Sequence, residues 1–146
     1  MASVSTYLNF PNNTEEAFNF YKIVFNSEFA PGGIRRFSDM PPNEDQSPIS
    51  DEVKNLVMHV ELPITAGHIL MGTDAPESLG FHVLTGNNVY ISLHPDSRVE
   101  TKRLFDALSA EGTVTMDLKV MFWGGYYGSC IDQFGIQWMF NCLTKE

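Results

Sequence analysis

An α+β fold of two tandem βαβββ modules, closing into a cup-shaped, barrel-like sheet, is what this sequence predicts, and three observations predict it. Short alternating apolar runs stand directly before two amphipathic helices. Each helix is followed by three more strand-like runs. The two halves also align with one another, so the chain reads as one unit written twice.

The first unit opens with Thr6-Tyr7-Leu8-Asn9-Phe10, whose alternation reads as a strand. Pro11 keeps that strand from running on smoothly, and Asn13 with Glu16 three residues later reads as a capping box. Ala17, Phe20, Tyr21 and Val24 recur at helical spacing and give the helix one apolar face. Strand-like runs follow at about Phe29–Phe37, Leu56–Leu62 and His68–Thr73. Between the first two, SDMPPNEDQSPISDE (Ser38–Glu52) is rich in Pro, Asp, Glu and Ser and reads as a long loop.

The second unit repeats the plan. Tyr90-Ile91-Ser92-Leu93 aligns with Tyr7-Leu8-Asn9-Phe10, within a strand expected over Val89–Leu93. Pro95 and the box Ser97-x-x-Glu100 lead into a helix with Leu104, Phe105 and Leu108 on one face, and Gly112 reads as its C-terminal stop. Runs at about Val114–Phe122, Tyr127–Ile131 and Ile136–Cys142 complete the unit, the last two joined by a hairpin turn at Asp132-Gln133-Phe134-Gly135. One domain of residues 1–146 is expected, with module one at about 1–74, a linker at about 75–87 and module two at about 88–146.

Strand alternation assigns faces. Leu8, Phe10, Ile91 and Leu93 are expected beneath the helices, leaving Ser5, Tyr7, Asn9, Asn88, Tyr90 and Ser92 in a shared cup. By the same rule Met58, Val60 and Leu62 go to the core, while Val57, His59 and Glu61 face the cup.

Composition narrows the function. The formal net charge is −9, from 18 acidic against 9 basic residues, and the basic pairs Arg35-Arg36 and Lys102-Arg103 do not extend into a patch. That argues against nucleic acid, whose phosphates need clustered cations. No apolar run approaches the roughly 18–20 residues of a membrane span. MASVSTYLNF lacks the charged and apolar regions of a signal peptide, so a cytoplasmic location is expected. Cys130 and Cys142 lie in apolar, strand-like surroundings and read as small hydrophobes.

The stretches TYLNFPNNTEEAFNFYKIVF, VMHVEL, GHILMGTD, GNNVYISL, RLFDALSAEGTV and FWGGYYGSCIDQFGIQWMFN span nearly the whole chain. Together they resemble the PhnB-like branch of the vicinal oxygen chelate (glyoxalase/bleomycin resistance/dioxygenase) superfamily. Phe122-Trp123-Gly124, Gly128, Asp132, Phe134-Gly135 and Trp138 carry the branch pattern. The resemblance implies a small-molecule ligand and a homodimer, but no single reaction. Some PhnB-like chains are labelled ubiquinone-pathway methyltransferases; here no Gly-rich loop joins a strand to a helix as a nucleotide-type cofactor requires, and methyl transfer is not expected.

In metal-dependent members, His, Glu or Gln ligands come from the first and last strand of each module. Carried onto this chain, the positions are Ser5 (or Thr6), Met71, Asn88 and Met139. Hydroxyl, amide and two thioethers suit a divalent ion poorly, so no metal and no other cofactor is expected there. The polar feature left is His59-Val60-Glu61, whose imidazole and carboxylate share a strand face and could act as base and partner. His68, His82 and His94 read as surface or capping residues, and Trp138 and Phe140 as core. A metal-free cup lined by Tyr7, His59, Asn88, Tyr90, Trp123 and Met139 that binds a small molecule is the favoured reading. The alternative is an enzyme acting on a small oxygenated substrate through His59 and Glu61, with or without a metal.

Overall fold

The computed structural model describes residues 1–41 and 49–146, so residues 42–48 of the loop expected over Ser38–Glu52 lie outside the described residues. The chain forms two compact units, Met1–Val83 and Leu84–Glu146. In the first, β1 (Thr6–Phe10) leads into α1 (Thr14–Val24), followed by β2 (Arg35–Arg36), a short helix α2 (Asp51–Lys54), β3 (Val57–Pro63) and β4 (Ile69–Asp74). The second runs β5 (Ile91–Leu93), α3 (Arg98–Ser109), β6 (Thr113–Val120), β7 (Tyr126–Ile131) and β8 (Gln137–Cys142). The sheets have equivalent orders, β1-β4-β3-β2 and β5-β8-β7-β6, as an internal duplication demands. In each, the first strand pairs in parallel with the last, and the remaining pairings are antiparallel.

One helix covers one face of each sheet. From α1, Thr14, Ala17, Phe18, Tyr21 and Val24 are buried over Leu70, Val60 and Leu62. Gly72 lies where any side chain would strike Phe18 and Thr14. From α3, Thr101, Leu104, Phe105 and Leu108 are buried, and the Phe105 ring meets Phe140 edge-on at 5.4 Å. Trp138 and Phe140 are fully buried beneath the helix, as strand alternation predicts.

Several local expectations are corrected. The strand expected over Phe29–Phe37 is only Arg35–Arg36, because Gly32 (φ 99°) and Gly33 (φ 59°) turn the chain in the left-handed region. Val57 is buried rather than open. Arg35 pairs with His59 but Arg36 with Val57, so a bulge at Met58 shifts the alternation, and Thr73 Oγ1 donates to the Met58 carbonyl at 2.7 Å. Beyond the bulge, Val60 and Leu62 face the core and His59 and Glu61 the open side. The segment read wholly as loop contains the first residues of α2, with Val53 buried.

Helix ends also differ. Asn13 makes no side-chain cap. The first turn of α1 is capped instead by Asp74, whose Oδ1 accepts from Thr14 N at 3.0 Å and Thr14 Oγ1 at 2.7 Å. Its Oδ2 accepts from Val57 N at 2.8 Å, so one buried carboxylate ties helix, β3 and β4. Ser97 does cap α3, accepting from Glu100 N at 3.1 Å. After α3 it is Glu111 (φ 62°), not Gly112, that takes the left-handed turn; Gly112 is required because a Cβ would collide with the Ile131 carbonyl.

The strand expected to reach Phe122 ends at Val120, and Met121–Gly125 form a hairpin loop closed by Met121 N to the Gly125 carbonyl at 2.8 Å. The turn at Asp132–Gly135 forms as expected. Asp132 Oδ1 accepts from Phe134 N and Ile136 N, and its Oδ2 from Trp138 Nε1 at 2.8 Å.

Asp74→Ala strands three buried donors and is expected to lower stability by about 2–4 kcal/mol, read from the urea midpoint. Gly72→Ala forces a methyl group against Phe18 and is expected to cost about 1–3 kcal/mol in the same measurement.

Candidate functional site

Each sheet leaves one face uncovered by its own helix, and the candidate residues stand on those faces. In the first unit, Met71 on β4 is the ladder partner of both Tyr7 on β1 and Glu61 on β3, so the three form a row. His59 stands two residues from Glu61 on the same face, with Nε2 3.8 Å from Glu61 Oε1, within ion-pair range when the imidazole is protonated. The Tyr7 and His59 rings meet at 5.8 Å with a 31° tilt. Tyr7 is exposed and His59 and Glu61 are half-buried, so the cluster is reachable from solvent. This local alternation brings together Tyr7, His59 and Glu61, as the sequence predicts.

In the second unit, Met139 on β8 pairs with Ser92 on β5 and Ser129 on β7. Trp123 lies in the β6–β7 loop, 45% exposed, with its ring edge-on to Phe122 at 5.0 Å and to Tyr127 at 5.8 Å. Gly124 turns the loop at φ 92°. A Cβ on Gly125 would collide with both Asn141 Oδ1 and Trp123 Nε1, so this glycine makes room for the indole and the amide over one stretch of backbone. Asn88 and Tyr90 precede β5 and are exposed. Tyr90 belongs to the strand expected over Val89–Leu93 but falls outside the observed one, whose pairing begins only at Ile91 opposite Trp138.

The remaining histidines divide. His68 Nε2 lies 2.8 Å from Thr6 Oγ1, and exposed His82 lies 3.5 Å from Glu77. His94 is not a mere helix-entrance residue. Its Nε2 is 3.1 Å from Ser92 Oγ and its Nδ1 3.2 Å from the Asn141 carbonyl. Sequence reading missed this cluster. Its local signal is Ser-x-His on one strand face; the Asn141 carbonyl comes from far along the chain.

Two of the positions carried over for a metal meet on the first unit. Ser5 Oγ donates to Met71 Sδ at 3.7 Å, a hydroxyl–thioether contact without a hard ligand. Ladder register also corrects their equivalence. Tyr7 faces Met71, and continuing the β5–β8 register one residue sets Tyr90 opposite Gln137, so Gln137 rather than Met139 corresponds to Met71. Gln137 is buried, with Nε2 3.4 Å from the Gly86 carbonyl and Oε1 without a partner among the described residues. Among the described residues, no three of His, Cys, Asp and Glu come together.

Paired units with this strand order define a glyoxalase-type fold, and known proteins share it. A glyoxalase/bleomycin resistance protein/dioxygenase family enzyme from Burkholderia phytofirmans PsJN superposes with TM-score 0.62 at 15% identity, over 95% of this chain and 98% of that one. A PhnB protein from Bacillus cereus gives TM-score 0.74 at 22% identity over 97% and 99%. Protein PA1353 from Pseudomonas aeruginosa gives 0.80 at 31% identity over 97% and 98%. The family described as 3-demethylubiquinone-9 3-methyltransferase matches residues 2–140, and the chain belongs to this PhnB-like family. The residues do not fit the nucleoside-type cofactor that description implies. The connections from β1 to α1 (Pro11–Asn13) and from β5 to α3 (His94–Ser97) contain no glycine, so neither provides a glycine-rich backbone cradle.

Cys130 is no alternative nucleophile. It is fully buried, and burial together with the nearby Asp132 carboxylate pushes its thiol up to about 12. In the native protein Cys130 is expected to resist a thiol-specific reagent at pH near 8, and to react promptly in urea. Timed labelling followed by peptide mapping checks this.

Proposed function

We propose that the protein binds a small organic molecule on the open face of a sheet, without a divalent metal at the positions its superfamily uses. The observation that carries this reading is the Tyr7–His59–Glu61 cluster, where a ring, an imidazole and a carboxylate meet on a solvent-reachable face. Among the described residues no hydrogen bond engages the His59 ring or the Glu61 carboxylate, so both remain free for a ligand. On the second unit, half-exposed Trp123 offers a flat surface of its own for an aromatic or cationic group, and Asn88, Tyr90 and Met139 are the candidate contacts of that unit. The acidic net charge favours cationic ligands.

The His59–Glu61 spacing also supports a second reading, an enzyme that uses His59 as base on a small oxygenated substrate. A cytoplasmic homodimer belongs to the same proposal. Edge strand β6 is exposed almost throughout although it carries Val114, Met116 and Val120. A second copy covering it would keep that edge from pairing elsewhere.

Protein purified without chelator and dialysed against mixed divalent ions is expected to retain far less than one ion per chain. About one tightly held ion per chain would overturn the metal-free reading. In a thermal-shift ligand screen, Trp123→Ala is expected to weaken binding of a hit roughly fivefold, the loss of one stacking contact, and more than His59→Ala does. If His59→Ala instead abolishes turnover of a substrate while the fold survives, the enzyme reading replaces the binding one.

A further inference from the structure

The second unit holds a cluster that the binding reading leaves unused. Ser92 and His94 are two apart in extended chain and so share a face. The parallel pairing of Leu93 with Phe140 then brings the Asn141 carbonyl beside His94. A carbonyl oxygen only accepts, so His94 Nδ1, 3.2 Å away, carries the ring proton. Nε2 is left as the acceptor, 3.1 Å from the Ser92 hydroxyl. Hydroxyl, imidazole and carbonyl thus stand as nucleophile, base and orienting group. Ser92 and His94 are both exposed, so a substrate reaches them without any opening of the fold.

The same face runs on to an aromatic surface. Asn141 is the ladder partner of Tyr127, whose ring meets Trp123 at 5.8 Å. From β5 across β8 to β7 is two strand spacings, about 10 Å, the span of a small aryl ester. Between the two ends lies the Asn141 amide, whose Oδ1 has no hydrogen-bond partner among the described residues.

We propose that Ser92, with His94 as its base, accepts the acyl group of small aryl esters. Ser92 Oγ bonds to the ester carbonyl carbon while its proton passes to His94 Nε2. The carbonyl electron pair moves onto oxygen, where the Asn141 amide N–H is the nearby donor. Collapse of this adduct breaks the bond to the aryl oxygen, which takes the proton from Nε2 and leaves as a phenol. Water, deprotonated by the same nitrogen, then releases the acid and restores Ser92, so ester and water give acid and phenol. Trp123 and Tyr127 hold the aryl group. The inference shares Trp123 with the binding reading but needs neither His59 nor Glu61.

The test uses the full chain with p-nitrophenyl acetate, following nitrophenolate release and mapping the acetyl group by peptide mass. The expected result is one acetyl group per chain on Ser92, lost in Ser92→Ala and retained in Ser92→Cys. His94→Gln is expected to slow acylation at least tenfold, and Ser109→Ala, a half-buried serine at the end of α3, to leave it unchanged. Circular dichroism confirms that each variant folds. Acetylation mapped to a lysine or the N-terminus, or wild-type release by a folded Ser92→Ala or His94→Gln chain, overturns the proposal. If the wild-type chain takes no acetyl group on Ser92 yet still binds a ligand in the thermal-shift screen, the acyl-transfer site alone has failed.

Discussion

Each unit depends on the parallel ladder between its first and last strand. β1 lies on β4 and β5 on β8, with a long helix and two further strands in each intervening chain and the short α2 besides in the first. A parallel pair cannot be closed by a tight turn, so the crossover must pass over the sheet, and the amphipathic helix in it covers one face. That choice commits alternate residues of every strand. Trp138, Phe140 and Cys142 go beneath α3, which leaves Met139 and Asn141 open. A slip of one residue on β8 would bury an amide and a thioether in place of two aromatic rings. Burial of each such ring is worth roughly 1.5–3 kcal/mol, so the register holds firmly, and with it every position on the open face.

Two buried carboxylates lock the corners of this arrangement. Asp74 serves α1 and β3 from the end of β4, and Asp132 serves the β7–β8 turn and the Trp138 indole. A buried carboxylate is costly unless its oxygens accept several hydrogen bonds. Each of these has them, mostly from backbone N–H groups that would otherwise be buried without partners. Satisfaction runs both ways, which is why one side chain can fix three elements. The candidate chemistry stands on a platform held by such contacts, while its own polar groups need carry no structural load.

What was legible in the sequence was whatever depends on near neighbours. The order of elements, the Ser97 cap, the Asp132–Gly135 turn and the inward Trp138 and Phe140 all follow from spacing within a few residues. The misses are contacts between distant residues. Asn13 had the right residue type at the right place, yet Asp74, 60 residues beyond Thr14, outcompetes it. The bulge at Met58 depends on Thr73 and on the partner strand, so no alternation within β3 reveals it. Carrying the family's ligand positions onto the last strand of each unit pairs Met71 with Met139, and only ladder register separates them. The same limit hid the Ser92–His94 cluster, whose orienting carbonyl lies 47 residues beyond the histidine.

The two open faces carry imidazoles in different states of commitment. Among the described residues, His59 has a carboxylate at 3.8 Å and a tyrosine ring beside it, but no hydrogen bond. Its nitrogens are available to an incoming molecule, which suits recognition: a ligand gains those contacts without breaking any. His94 has both nitrogens engaged, one by a group that can only accept and one by a hydroxyl that can give up its proton. Its tautomer and orientation are therefore set before any substrate arrives, and that preorganisation is what proton transfer demands. The duplication supplied two similar sheets, and the partners of a single imidazole on each were enough to give the faces different chemical capacities.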